Sequence, residues 1–137
     1  PKPPRKKRKR PTHKQKVERK TKSVVRIAKR YLGVSYRWGG SSPRSGFDCS
    51  GLVRYVYGRV GIRLPHVAAG QFHRGRRVKA SNLHPGDLVF FNRLGHVGMY
   101  IGRGRMIHAP NSRSTVRIES LRGYWGGVYV GARRLVY

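Results

Sequence analysis

Hydrophobic side chains recur at helical spacing in the first half of this chain and at strand spacing in the second. Val24, Ile27, Ala28, Tyr31 and Leu32 repeat at intervals of three and four, with Arg26, Lys29 and Arg30 on the other face. That stripe predicts a helix over about 24–32, with Ser23 as its N-cap and Gly33 as its stop. A loop rich in Gly, Ser and Pro follows, from Tyr36 to Gly46. A second helix is predicted over about 49–59, burying Leu52, Val53, Val56 and Tyr57, and a short one near 67–73. After Leu83-His84-Pro85-Gly86 the period changes to two. Asp87 to Phe91 is an apolar run bounded by turn residues, and 92–95 reads as a hairpin loop into a strand over 96–102. In that strand His96, Gly98 and Tyr100 share one face. Further strands are expected over 105–109, 115–119 and 128–133. Helices first and sequential strands afterwards give an α+β class with a mainly antiparallel sheet of five or six strands.

The charge changes the picture at the amino-terminal end. The 137 residues carry a formal net charge of +28 with only four acids. Residues 1–22 hold twelve Lys or Arg, one acid (Glu18) and one aliphatic side chain (Val17). So little apolar surface does not offset the entropy of ordering, so this segment is expected to be a disordered basic tail or linker, with one folded domain over 23–137. Such a field favours an anionic partner: a wall polymer, an anionic membrane, or nucleic acid bound non-specifically. The tail lacks aromatic side chains, so it offers no stacking platform for bases. No apolar run reaches the length of a membrane span. The first residue is Pro, so a processed or truncated chain is expected, with any signal peptide out of view.

The candidate chemistry rests on one cysteine. Cys49 stands in Gly46-Phe47-Asp48-Cys49-Ser50-Gly51, where a loop turns into a helix. With Asp48 as N-cap, Cys49 takes the first helical position, where the helix dipole favours a thiolate. Gly46 and Gly51 are expected to leave room for a ligand's close approach. His96 opens a predicted strand and His108 closes another. Taken singly, the bland readings hold: a small buried cysteine, a solvated hairpin histidine and a core histidine bonded to a carbonyl. Together they are the parts of a cysteine nucleophile, its base and the base's orienting group. A zinc site from the same three residues lacks metal-motif spacing, and no metal or cofactor is expected.

Six blocks carry a resemblance: Tyr36-Arg37-Trp38-Gly39-Gly40, Phe47 to Val53, Leu64-Pro65 followed by Gln71, Pro85 to Phe91, Gly95 to Gly102, and Ile107-His108-Ala109-Pro110. In this order they resemble the NlpC-type family of bacterial cell-wall cysteine peptidases, a compact branch of the papain-like fold. The resemblance runs from about Val24 to Val130. It implies that Cys49 is the nucleophile, His96 the general base and later acid, and His108 the residue orienting His96. It also implies that Tyr36 lies beside the nucleophile, and that the Cys49 N–H, with Tyr36 or another donor, supports the oxyanion. Asp48 would recognise the free amine of the substrate, with Ser50 joining that pocket; an N-cap role for Asp48 stands beside this one. The implied substrate is a peptidoglycan stem peptide, cut between γ-D-glutamate and a diamino acid, typically meso-diaminopimelate. The implied setting is secreted, periplasmic or wall-associated, and the chain is expected to act as a monomer.

One departure bears on substrate contacts: His66-Val67 stand where many relatives have Arg then Ser or Thr. Three other roles compete on the same fold. A non-catalytic wall-binding module is disfavoured by the intact Cys/His/His set. A permuted lipid acyltransferase is disfavoured because its histidine precedes its cysteine. A phage or toxin lysin or amidase shares fold and triad and stays open.

Overall fold

The computed structural model describes residues 9–137. Helix α1 (His13–Lys29) starts eleven residues earlier than the apolar stripe suggests, so Ser23 lies inside it rather than at its N-cap. Its N-cap is Thr12, and the side chains of Thr12 and Gln15 bond reciprocally to each other's backbone N–H at 3.1 and 2.9 Å. Val17 and Thr21 prolong the inward stripe of Val24 and Ala28, while Arg19, Lys22, Arg26 and Lys29 stay exposed. The expectation of an unstructured segment through Lys22 therefore fails over 13–22. Capping and a narrow stripe suffice to order a helix whose cations all find solvent. The same expectation for residues 1–8 lies outside the described residues.

A two-residue ladder, β1 (Ser41–Ser42) with β2 (Gly46–Phe47), leads into α2 (Cys49–Gly58). A short α3 (Ala68–Gln71) and an edge strand β3 (Arg76–Val78) follow. Then come β4 (Leu88–Phe91), β5 (His96–Gly102), β6 (Arg105–His108), β7 (Arg117–Ser120), a one-turn α4 (Tyr124–Gly127) and β8 (Tyr129–Arg134). The main sheet has six antiparallel strands in the order β3-β8-β4-β5-β6-β7. The α+β class holds; the short ladder of β1 with β2, the edge strand β3 and α4 are elements that periodicity alone did not announce.

The sheet has two unlike faces. Leu88, Phe90, Val97, Met99 and Ile107 pack against Leu52, Val53 and Val56 of α2 and Val24, Ile27 and Ala28 of α1. Val89, Phe91 and Met106 form a smaller cluster on the other face, covered by Trp125, Val128 and Tyr129. Asp87, just before β4, is buried and takes two bonds of 2.9 Å from Arg134, which fastens β8 to β4. The Tyr57 hydroxyl donates to the Gly86 carbonyl and ties α2 to the same corner.

Candidate active site

Asp48 caps α2, its Oδ1 accepting the Gly51 N–H at 2.7 Å, so Cys49 is the first helical residue. The loop before it lies tight against the helix. A Cβ on Gly51 would meet the Gly40 carbonyl oxygen at 1.9 Å, and one on Gly46 would meet the Ser35 oxygen at 2.6 Å. The room expected at these glycines for a ligand is therefore taken by the chain itself. Their smallness lets the loop seat the helix start.

β5 supplies His96 after a turn in which Asn92, Arg93 and Leu94 all have positive φ, of 51°, 54° and 71°. Three such residues in succession cost about 1 kcal/mol or more each. They reverse the chain so that His96 pairs with Phe91 and faces the smaller cluster. His108, at the end of β6, reaches the same face. Gly98 makes this possible, since a Cβ there would lie 2.7 Å from the Met106 sulfur and 3.2 Å from the His108 Cβ. His96 Nε2 and His108 Nδ1 are 2.8 Å apart. His96 is buried rather than hydrated, and His108 is 0% exposed and bonded to another side chain rather than to a carbonyl. Both isolated readings of these histidines fall with that contact.

Burial sets the electrostatics. It lowers His96 to about 3, helped by neighbouring His108 and opposed by Glu119, and lowers His108 to about 4, again opposed by Glu119. Burial pushes the Cys49 thiol up, while the backbone N–H groups of Val97, Ser50 and Cys49 favour the thiolate. Near neutrality the resting set is an uncharged thiol beside uncharged imidazoles. Such a set can move a proton from sulfur to imidazole when substrate arrives, creating charge only as it is used.

Tyr36 is half-buried next to this centre, and its phenol is pushed up by burial and by the proximity of Cys49 and Asp48. Ser50 is buried behind Asp48, its hydroxyl 3.4 Å from Asp48 Oδ1 and its carbonyl accepting from Gln71 at 3.0 Å. Asp48 Oδ1 also lies 2.9 Å from His66 Nε2, while Oδ2 accepts the Gly39 N–H at 3.1 Å. All six residues singled out in the sequence thus lie on the elements that meet at the start of α2 and the adjoining strands.

Two neighbours escaped sequence reasoning. Trp125 stacks on His96 with centroids 4.8 Å apart and planes at 25°, and stands edge-on to His108. Glu119 lies 3.4 Å from His108 Nε2, and its other oxygen accepts from the Trp125 indole at 2.8 Å. The available signals were faint: Trp125 is one of two tryptophans, and Glu119 one of four acids. Among the described residues no group of three or more His, Cys, Asp or Glu is arranged to hold a metal ion.

The NlpC/P60 family model matches residues 33–134. The murein DD-endopeptidase MepH of Escherichia coli K12 is 45% identical over 133 residues, which cover 90% of this chain and 49% of that protein. The γ-DL-glutamyl hydrolase of Bacillus subtilis 168 is 40% identical over 120 residues, covering 82% and 29%. The crystal structure of an NlpC/P60 family protein from Bacillus cereus ATCC 10987 superposes with a TM-score of 0.82 at 36% identity, over 85% of this chain and 40% of that one. The chain thus spans about half or less of the length of these relatives.

Proposed function

The chain belongs to the NlpC/P60 family, and on that footing we propose that it is a cysteine peptidase acting on the stem peptides of peptidoglycan. The supporting observation is the buried 2.8 Å contact between His96 and His108 beside a thiol at the amino end of α2. Cys49 loses its proton to His96 and its sulfur attacks the peptide carbonyl. The oxygen of the tetrahedral intermediate is met by the Cys49 N–H, with Tyr36 as a second donor. His96 returns the proton to the departing amine. Water, deprotonated by the same imidazole, then frees the acyl group from the sulfur. His108 holds the His96 ring throughout. Asp48 serves in two ways: Oδ1 caps the helix, and Oδ2, held among the described residues only by Gly39, keeps a lone pair for the substrate's amine. Ser50 supports that carboxylate from behind.

The bond we favour is the one between γ-D-glutamate and the diamino acid. A relative named γ-DL-glutamyl hydrolase supports it. The name of the E. coli relative, a DD-endopeptidase, favours a second reading, a cut between cross-linked stems. Pairing of His66 with Asp48, where many relatives have Arg, bears on this choice because the imidazole sits 2.9 Å from Oδ1 of the carboxylate assigned to the amine. Digestion of purified peptidoglycan with mass spectrometry of the fragments separates the two. A DL cut splits single stems, whereas a DD cut turns cross-linked dimers into intact monomers. Release of neither, with a folded protein and a free thiol, would overturn the proposal.

A wall setting follows from this reading, and no helix among the described residues is long and apolar enough to cross a membrane. The exposed cations of α1 add a track for anionic wall polymers, since Arg19, Lys22, Arg26 and Lys29 repeat every three or four residues along one rigid rod. The same track binds nucleic acid only non-specifically.

A further inference from the structure

Residues 23–137 carry twenty Lys or Arg and only three acids, Asp48, Asp87 and Glu119. In so cationic a chain a carboxylate that merely balanced surface charge would have many equivalent places. Each of the three instead has a specific partner. Asp48 caps α2, Asp87 holds Arg134, and Glu119 is turned toward His108 and Trp125.

The register places Glu119 on the site's own face of the sheet. β6 and β7 pair Met106 with Glu119 and His108 with Arg117, and Met106 in turn faces Tyr100 of β5. His96, Gly98, His108, Arg117 and Glu119 therefore project from one surface, roofed by Trp125 of α4. One Glu119 oxygen accepts the indole N–H at 2.8 Å; the other is near His108 Nε2 at 3.4 Å and is also in contact with the Arg117 guanidinium. Burial alone would raise the Glu119 carboxyl. The indole bond, His108 and Arg117 outweigh it and hold the group below its ordinary value, so it is an anion at neutral pH.

An anion beside His108 Nε2 selects the tautomer. A carboxylate accepts and does not donate, so the proton of neutral His108 belongs on Nε2. His108 Nδ1 is then a lone pair, and the 2.8 Å contact requires His96 Nε2 to carry the hydrogen. That leaves His96 Nδ1 bare, the atom needed to take the thiol proton. We propose that Glu119 is a positioning residue for His96: through His108 it sets the tautomer of both imidazoles, and through the indole it keeps Trp125 stacked on the His96 ring. This inference rests on the reading of His96 as the base for Cys49. In the step itself the thiol proton moves to His96 Nδ1 and later to the leaving amine. The Nε2 hydrogens stay where they are, and no proton reaches Glu119.

Two measurements test it. The first needs no substrate: ¹⁵N spectra of the imidazole nitrogens in a Cys49→Ala background, with and without Glu119→Gln. Both histidines should be Nε2–H in the parent, and His108 should lose its single tautomer in the Gln variant, whose amide donates as well as accepts. A His108 carrying its hydrogen on Nδ1, or a pattern unchanged by Glu119→Gln, would overturn the proposal. The second is the pH profile of kcat/KM for stem-peptide hydrolysis. Glu119→Gln should lower the plateau about ten- to a hundred-fold, by analogy with the loss of a carboxylate that orients a histidine in a metal site. It should also move the acid limb to lower pH, because the anion that favours protonated His96 and His108 is gone. The other charged or titratable groups around the pair, Arg117 on β7 and Asp48 and Cys49 at the start of α2, are unchanged. Glu119→Asp should recover most of both effects, whereas a loss of rate with the acid limb unmoved would reduce Glu119 to a structural prop. If wild type itself fails to hydrolyse peptidoglycan, the parent reading falls, and the tautomer measurement still decides the geometry.

Discussion

Acidification should unfold this protein through its two buried histidines, and the size of the effect follows from their surroundings. His96 and His108 fall from an ordinary 6.5 to about 3 and about 4 on folding, first because burial penalises their charged forms. The folded values lie below the unfolded one, so below 6.5 the unfolded chain binds more protons than the native one. Stability that is complete above that pH is lost as pH falls toward about 4. Between pH 7 and pH 5 each histidine costs about 2 kcal/mol, and the pair about 4 kcal/mol, at about 1.4 kcal/mol per unit. A domain of this size is held by about 5–15 kcal/mol, so the loss is a large share of the total. Urea unfolding of wild type and His108→Asn at both pH values measures it. Repulsion among the many cations acts on both proteins alike and cancels in the comparison. The variant keeps one buried imidazole and should lose about 2 kcal/mol less than wild type between the two conditions, with unchanged m-values. Equal losses in the two proteins would refute the argument that both rings are held neutral by burial.

The histidine roles are separable in kinetics: His96→Ala should cost about two to four orders of magnitude in kcat/KM, and His108→Asn or His108→Gln clearly less. The Cys49→Ala protein should be inert but folded, and combining it with His96→Ala should add nothing, because the two residues act as a unit. Gly51→Ala drives a methyl into the Gly40 carbonyl, 1.9 Å away, and should destabilise the fold by about 1–3 kcal/mol in urea titration while reducing activity. Replacing Arg19, Lys22 and Arg26 by Gln should flatten the salt dependence of retention on intact walls, by a slope of roughly one per lost contact, with turnover of small stem peptides unchanged. Equal retention of variant and wild type on walls with and without their anionic polymers would show that the helix face serves something else.

Local sequence determined much of this protein. The stripe from Val24 to Ala28, the Asp48 cap before Cys49 and the alternation through β5 are short-range patterns, and each became the expected element because its spacing is set within a few residues. Leu32, counted in the same stripe, lies beyond the end of α1 and is exposed. Thr12 and Gln15 belonged to the same kind of signal, a capping box visible in four residues, yet the surrounding cations concealed it. Net charge is a poor guide to order where a single inward stripe is enough. Three matters were decided only in three dimensions. The glycines at 46 and 51 admit the chain's own carbonyls rather than a ligand, because packing of loop on helix is a non-local contact. The protonation state of the histidine pair follows from burial, which no spacing along the chain records. Glu119 and Trp125 come from a strand and a one-turn helix far along the chain from Cys49, and only the pairing of β6 with β7 carries them to His108. Residue types announced which chemistry was possible; strand register decided which atoms face one another, because a shift of one residue would turn Glu119 to the opposite face of the sheet.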